Sequence, residues 1–253
     1  MRSNDTRDRI IFGALGVVVV IGLWEFMTAT ALVDPVLLSS PRQVMGDVGA
    51  AFDTGDMGHH LLITLLEWSI GFSLAAVVGV PVGMIAARSR LFGNMAESWM
   101  ILLLVVPMVA LVPLFILWLG IGVEMKILIS FLTALPPVAL NVTEGVRAIP
   151  REVLAVAESF RASRARLFLS VLTPASLAST LAGLRIGAGQ ALVGVIFAEM
   201  VASSEGVGYA IRTAGSTFNT PRLMLGLVLL AVLAMAVGKS LETAERRLER
   251  WRV

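Results

Sequence analysis

Only a few residues of this 253-residue sequence have the types and spacing that chemistry requires. The two histidines, His59 and His60, are adjacent and point to different faces of a helix, so they lack the i, i+4 spacing of a helical zinc site. Cysteine is absent, which excludes disulfides and thiolate metal ligands. A GxxxxGK[ST] phosphate loop is also absent, and GAGQAL at 187–192 lacks the last glycine of a dinucleotide-binding loop. The sequence therefore predicts no enzyme, no metal site and no cofactor bound by this chain.

Four polar side chains lie inside or at the ends of long apolar stretches: Glu67, Asn141, Gln190 and Glu199. A carboxylate in an apolar environment faces a polar pathway or a partner, or it satisfies backbone groups of a nearby loop. An amide can hydrogen-bond a passing solute, although a bond to a neighbouring helix is the commoner role. We take all four as candidates for lining such a polar pathway, and the structural roles stay open as alternatives.

The apolar stretches predict an all-α protein that crosses a membrane several times. Hydrophobic residues make up 57% of the sequence, charged residues only 15%, and the mean hydropathy is +0.86. A membrane-spanning helix needs about 17 to 25 predominantly apolar residues. One membrane domain over residues 1–253 is predicted, with six spans at about 10–28, 61–87, 98–119, 125–142, 177–201 and 223–237.

Small residues and prolines in these spans predict close packing and broken helices. Gly79 and Gly83, and again Gly183 and Gly187, have the four-residue spacing that lets helix backbones approach closely in lipid. Prolines interrupt three of the spans, at Pro81, Pro107, Pro113, Pro136 and Pro137. Because proline removes a helical hydrogen bond, their number indicates broken helices that line a cavity.

The distribution of basic residues predicts the orientation. The net charge is only +2 and the 20 basic residues are dispersed between apolar blocks, which argues against nucleic-acid binding. With the N terminus inside, fifteen of them lie in cytoplasmic segments, and Arg185 lies within the fifth span. The outer loops hold only Arg42, Lys126, Arg212 and Arg222. Both termini are therefore predicted to be cytoplasmic.

The longest segment on the cytoplasmic side, residues 144–174, is charged and partly amphipathic. Pro150 at a first helical position and Glu152 in the first turn predict a short helix. Ser163 can cap a second helix, which is expected to end before Pro174. Such a helix, turn and helix lies at the membrane surface, either as a docking element for another protein or as a connector against lipid headgroups.

This 144–174 segment resembles the EAA loop of ABC-importer permeases. The loop's pattern is Glu-Ala-Ala, three residues, Gly, nine residues, Ile, one residue, Leu-Pro, and it falls on Ala155, Val156, Ala157, Arg161, Val171, Thr173 and Pro174. Ala157 and Pro174 match the pattern outright. Arg161 stands where the pattern has glycine, a residue that permits a left-handed backbone.

Further segments resemble the nitrate, sulfonate and taurine branch of that family. They are LLITLLEWSIGFSLAAVVGVPVGMIAARS at 61–89, PLFILWLGIG at 113–122, LPPVALNVTEGVRAIP at 135–150, VIFAEMVASSEGVGYAI at 195–211 and RRLERWR from Arg246. The resemblance covers nearly the whole chain from about Pro35 onward. It implies the fold of a type I ABC-importer permease in the bacterial inner membrane.

The resemblance also implies a set of residues that dock into a groove of a cytoplasmic ATPase. Carried over to this sequence, they are Glu152, Ala155, Val156, Ala157, Arg161, Ala162 and Ser163, with Pro174 shaping the exit. Arg161, Arg164 and Arg166 either pair with acidic groups of the ATPase or contact lipid headgroups. ATP and Mg²⁺ are expected in that partner ATPase and not in this chain.

The implied assembly has two copies of this chain, an ATPase dimer and an extracytoplasmic solute-binding protein, embedded in or attached to the lipid membrane. The expected solute is a small anion such as a sulfonate, taurine or nitrate. The alternative is an ion-coupled secondary transporter that works without an ATPase. Such a transporter is expected to show an internal inverted repeat, and the sequence shows none.

Overall fold

The computed structural model of the chain describes residues 2–30, 32–34, 36–53, 56–160 and 163–249, with their side chains except at 2–11, 13, 14, 158, 164, 165 and 247–249. Within these ranges the protein is helical and contains no strand, which confirms the predicted all-α fold.

The helices follow one another with short connections. In chain order they are α1 Arg2–Ala29, α2 Pro41–Asp53, α3 Met57–Arg88, α4 Arg90–Val105, α5 Met108–Leu119, α6 Val123–Arg147, α7 Arg151–Ser159, α8 Arg164–Leu167, a π-helix Phe168–Leu172, α9 Thr173–Ala175, α10 Leu177–Ala202, α11 Val207–Ser216 and α12 Thr220–Glu249. They form two compact units, one of Met1–His59 and Ala210–Leu230, the other of His60–Tyr209 and Ala231–Val253.

Helix α6 is the centre of the second unit. Its residues 134–139 are buried without interruption, because small residues of α3 let the two backbones approach closely. A side chain at Gly79 would meet Val138, and one at Gly83 would meet Val142. The small-residue pair in the second predicted span therefore lies at a helix contact.

Helix α10 also packs on α6 through small residues. A Cβ atom at Gly183 would lie 2.7 Å from the Cβ of Asn141, and one at Gly187 would lie 2.5 Å from Val138. Gly194 continues the same stripe about two turns after Gly187 along α10. Helices α3, α6 and α10 thus form a tightly packed set in which the glycines replace side chains at the contacts.

The third predicted span is a bent pair of helices. Helices α4 and α5 meet at an angle of 99°, and the break lies at Val106 and Pro107. Val106 adopts an extended conformation because the ring of the following proline disfavours the helical one. The other candidate helix breakers, Pro81, Pro113 and the pair Pro136 and Pro137, lie inside uninterrupted helices. The prediction of broken helices holds only at Pro107.

Several helices are long and apolar enough to cross a membrane. Four qualify singly, namely Met57–Arg88, Val123–Arg147, Leu177–Ala202 and Thr220–Arg246, and the bent pair makes a fifth if it is one span. Within α1 the apolar part Leu15–Ala29 is shorter. The six-span count and the cytoplasmic termini stay predictions.

The first unit has an apolar core of its own. Val44 and Ala51, on one face of α2, are buried against Met57, Ala210 and Leu225. Helix α2 thus lies between the first two predicted spans, at residues 41–53.

Candidate functional site

Two charged side chains form an ion pair inside the second unit. Glu67 of α3 is 0% exposed, and its carboxylate contacts the ammonium group of Lys126 on α6, which is also buried. Lys126 Nζ also donates a hydrogen bond to Ser203 Oγ at 3.1 Å. Charges in an apolar interior are costly unless they are paired. The ion pair and the bond to Ser203 therefore hold α3, α6 and the end of α10 in one specific arrangement.

Glu199 of α10 lies beside this pair and is also 0% exposed. Its Oε1 atom accepts a hydrogen bond from Thr64 Oγ1 at 2.7 Å, and its Oε2 atom accepts one from the backbone N–H of Gly208 at 2.7 Å. Thr64 in turn accepts a hydrogen bond from the N–H of Val207 at 2.9 Å. We call Thr64, Glu67, Lys126 and Glu199 the buried polar cluster.

The turn between α10 and α11 is shaped to fit this cluster. Gly206 has φ +100°, a conformation that residues with a Cβ atom rarely adopt. A Cβ atom at Gly206 or at Gly208 would also collide with the side chain of Glu199. The Gly-Val-Gly sequence at 206–208 therefore allows the backbone to close over the carboxylate.

The structure separates the four candidate pathway residues. Glu67 and Glu199 come together in the cluster, whereas Asn141 donates a hydrogen bond from Nδ2 to the carbonyl oxygen of Pro137 at 2.8 Å within α6. Gln190 is exposed on α10. Lys126 was predicted to lie in an outer loop, but it is 4% exposed within α6, and the apolar residues that follow it are the signal for its position.

Gln190 lines a cavity at the break between α4 and α5. The cavity has a volume of about 210 Å³, and its other walls include Pro107, Thr133, Val193 and Phe197. Thr133 Oγ1 donates to the carbonyl oxygen of Ile129 in its own helix. Of the two polar side chains in this wall, Thr133 therefore bonds to its own helix backbone, whereas the amide of Gln190 makes no such bond in the described structure.

The 144–174 segment contains the two predicted helices, and residues 161–162 of the predicted turn lie outside the described residues. Helix α7 covers Arg151–Ser159, and Ser163 Oγ accepts a hydrogen bond from the N–H of Arg166 at 3.3 Å, as expected for a cap. The second helix does not end before Pro174, because it widens into the π-helix Phe168–Leu172 and then continues through the proline. In the wider π-helix, the backbone hydrogen bonds do not require the N–H group that Pro174 lacks.

An open apolar groove lies between the two arms of this segment. Its volume is about 540 Å³, and its walls include Val153, Val156, Phe160 and Val171. Val156 is 57% exposed and Phe160 is 83% exposed. Among the described residues that line the groove, Arg166 alone carries a charge.

The predicted docking residues fall into three groups. Glu152, Ala155, Val156, Ser163 and Pro174 are exposed, whereas Ala157 is only 8% exposed and forms the floor of the groove. Arg161 and Ala162 lie outside the described residues. Phe160, which is the most exposed apolar side chain of the groove, has no position in the EAA pattern, and its place at the end of an amphipathic helix is the signal for it.

The described residues contain no group of three His, Asp or Glu side chains that could hold a metal ion. Some charges in the second unit instead form ion pairs, as in Arg147–Glu97 and Arg185–Glu245. The arrangement can position helices and bind a partner.

The chain is similar in sequence to known transport permeases. The taurine transport system permease protein TauC of Escherichia coli (strain K12) is 29% identical over 92% of this chain and 86% of its own length. The putative aliphatic sulfonates transport permease protein SsuC of Bacillus subtilis (strain 168) is 30% identical over 95% of this chain and 87% of its own length.

A solved structure has the same fold. A chain of the inward-facing MetNI methionine ABC transporter superposes with a TM-score of 0.68 at 18% identity, covering 76% of this chain and 95% of that one. The family model for the binding-protein-dependent transport system inner membrane component matches residues 79–252. The chain therefore belongs to this family of multi-pass inner-membrane permeases of ABC importers.

Proposed function

We propose that this chain forms one half of the translocation pathway of an ATP-driven importer for small sulfonates such as taurine. A cytoplasmic ABC ATPase, which holds ATP and Mg²⁺, drives it, and an extracytoplasmic binding protein delivers the solute. The observation that carries the proposal is the open apolar groove of the 144–174 segment. Membership of the family supports the same partners.

The groove has the character of a protein contact. Val156 and Phe160 are large exposed apolar side chains on a segment that is otherwise rich in charge. A concave apolar surface with a small residue, Ala157, at its floor leaves room for an inserted side chain of a partner. Arg166 at the wall favours an acidic neighbour. These features fit a folded partner better than a layer of lipid headgroups.

The first experiment is purification of the tagged chain from its native host in mild detergent, with and without Val156→Glu. We expect an ABC ATPase to purify with the parent chain and to be lost with the variant, because a carboxylate in the groove is repelled by an acidic partner and desolvated on docking. Vanadate-sensitive ATP hydrolysis in the purified sample measures the same outcome independently.

Leu169→Glu is the matched control for this experiment. Leu169 is an exposed apolar residue of the same segment, at 74% against 57% for Val156, but it does not line the groove. We expect Leu169→Glu to keep the ATPase. A parent chain that purifies without an ATPase and moves solute in liposomes under an ion gradient would contradict the proposal and support the secondary transporter.

We further propose that Gln190 faces the pathway and that a second copy of this chain completes it. Helix α10 exposes a continuous face that carries Ile186, Gln190, Val193 and Phe197. An amide on an otherwise apolar exposed face of a membrane helix is costly in lipid and favourable beside water or solute. A second copy that covers this face creates a two-sided pathway, and the surrounding lipid covers the other apolar faces.

Single cysteines test this assignment, because the sequence contains none of its own. We expect Gln190→Cys to react with a hydrophilic, charged thiol reagent and to lose transport after reaction. Val77→Cys lies at an exposed apolar position of α3 and outside the cavity, so it serves as the control and is expected to react slowly in lipid. Equal, slow labelling of both thiols would place this face of α10 in lipid.

The solute class is inferred from the relatives, whose names refer to taurine and aliphatic sulfonates. Uptake of labelled taurine by cells that lack their own sulfonate permeases, and that express this chain with its neighbouring ATPase and binding protein, tests it. Competition by an unlabelled alkanesulfonate and none by methionine is the expected result.

A further inference from the structure

Three consecutive backbone N–H groups at the start of α11 are bound by side chains from other helices. The N–H of Gly206 donates to His60 Nδ1 at 3.1 Å, and those of Val207 and Gly208 donate to Thr64 and Glu199. The first N–H groups of a helix normally bind the residue just before it or water. Here a carboxylate of α10 and two side chains of α3 replace them.

Glu199 is also connected to the 144–174 segment through one continuous helix. Helix α10 has 26 residues, so it is about 39 Å long. Its first turn follows α9 directly, since the N–H of Ser176 bonds to the carbonyl oxygen of Leu172 at 2.9 Å and that of Thr180 bonds to Ser176 at 2.9 Å. A displacement of the π-helix Phe168–Leu172 therefore moves α10, and with it Glu199.

The buried carboxylate has little value as a packing group. An apolar side chain of similar volume would fill the same space without the cost of burying charge. Glu199 instead aims one oxygen at Thr64 and the other at the turn, and Gly206 and Gly208 lack the Cβ atoms that would block it. The geometry matches a group that holds a backbone segment in one position.

We propose that Glu199 is a positioning residue that, together with Thr64, fixes the turn 203–208 to α10 and α3. In this arrangement the turn follows the movement of α10 and presents its exposed residues, Ser204 and Glu205, to the extracytoplasmic binding protein. The inference rests on the proposed function, because it assigns to this turn the delivery of the signal between binding protein and ATPase.

Thr64→Val and Thr64→Ser test the inference as an isosteric pair. Valine keeps the shape of threonine but leaves Glu199 Oε1 and the N–H of Val207 without their hydroxyl partner, whereas serine keeps the hydroxyl. Each is combined with Ser204→Cys, a single thiol on the exposed part of the turn. Glu124→Gln is the control, since Glu124 is an exposed acid on the first turn of α6 near Lys126.

Two quantities are measured on the complex with its ATPase in lipid nanodiscs. The first is the ratio of ATP hydrolysis with solute-loaded binding protein to hydrolysis without it. The second is the change in maleimide labelling of Ser204→Cys when the ATPase is trapped with vanadate. A purely structural role would lower the melting temperature and leave both ratios unchanged.

For Thr64→Val we expect the stimulation ratio to fall towards one and the vanadate-dependent change in labelling to fall about tenfold, as expected for the loss of a hydrogen bond to a charged group. Thr64→Ser and Glu124→Gln are expected to behave like the parent. If Thr64→Val does not assemble, Glu199→Gln replaces it with the same expectation, because glutamine has a single acceptor oxygen and cannot accept from both the N–H of Gly208 and the hydroxyl of Thr64.

The inference is overturned if the variant with valine keeps both ratios, or if the parent turn shows no change in labelling on trapping. These failures differ from that of the proposed function. When no ATPase purifies with the parent chain, the proposed function itself fails and the inference fails with it.

Discussion

The two ends of α10 are held in different ways. At its C-terminal end, Glu199 of the buried polar cluster is held by the hydroxyl of Thr64 and the backbone N–H of Gly208, and all three residues are buried. At its N-terminal end, the 144–174 segment rests on an apolar core that includes Met84, Val142 and Leu172, and its outer side chains are exposed. Polar bonds in a dry interior fix position sharply, whereas apolar packing tolerates small shifts.

This difference indicates that the two ends of α10 have different roles. The end with the cluster is specified by a few directional contacts, so removal of one group leaves others unpaired. The end with the groove offers exposed apolar surface for a partner, and its own polar contacts lie in water. Substitutions at the cluster should therefore cost far more than substitutions at the 144–174 segment.

The largest effect is expected for Lys126→Met. The change leaves the carboxylate of Glu67 buried without its cation, and breaking a buried pair in this way costs about 3–5 kcal/mol. The free energy of unfolding is measured by titration of the detergent-solubilised chain with a denaturing detergent. A cost below about 1 kcal/mol would mean that water screens the pair. The two ends of α10 would then not differ in the way described.

A double-mutant cycle sharpens this prediction. Glu67→Gln combined with Lys126→Met removes both charges, so we expect the double variant to be more stable than Lys126→Met alone. Equal stability of the single and double variants would mean that the loss comes from the packing of the lysine chain and not from its charge.

The next effect is expected for Gly206→Ala. Alanine at φ +100° is strained, and its Cβ atom would displace the side chain of Glu199, so a loss of about 2 kcal/mol or more is expected. Gly238→Ala is the matched control, because a Cβ atom at Gly238 meets no atom within 4 Å and the residue lies inside α12. A control that destabilises as much as Gly206→Ala would remove the argument for a fitted turn.

The fold was largely predictable from hydropathy and small residues. Long apolar runs predicted helices such as α3, α6 and α10, because in lipid the backbone must satisfy its own hydrogen bonds. Proline was a weaker guide. Pro136 and Pro137 stay inside α6, where dense packing against α3 and α10 stabilises the helix, while Pro107 breaks a less buried one.

The site was less predictable, because its contacts join residues that are distant in sequence. Glu67 and Glu199 stood out as acids in apolar segments, but nothing in the sequence paired Lys126 with Glu67 or Thr64 with Glu199. The π-helix was also unforeseen, since it results from the conflict between Pro174 and continuous helical packing on the core. Pairing across helices depends on their rotation and register, which periodicity alone does not give.

A smaller effect is expected for Ser163→Ala in the 144–174 segment. Loss of the cap that accepts from the N–H of Arg166 should cost about 1 kcal/mol, and only locally. Hydrogen exchange of residues 164–167, followed by mass spectrometry, should become about fivefold faster. Ser163→Asp keeps a capping oxygen and is expected to restore slow exchange. If exchange also accelerates in the turn 203–208, the two ends of α10 are not independent.

The smallest effect is expected for Arg147→Ala. The guanidinium of Arg147 at the end of α6 lies 2.9 Å from Glu97 of α4, but the two side chains are 42% and 37% exposed. Water screens such a pair, so a double-mutant cycle with Glu97→Gln should give a coupling energy below about 1 kcal/mol that decreases further with added salt. The Glu67 and Lys126 pair should instead show a coupling energy insensitive to salt. A strong, salt-independent coupling at Arg147 would mean that the groove end is fixed as firmly as the cluster end, and the contrast between the two ends of α10 would not stand.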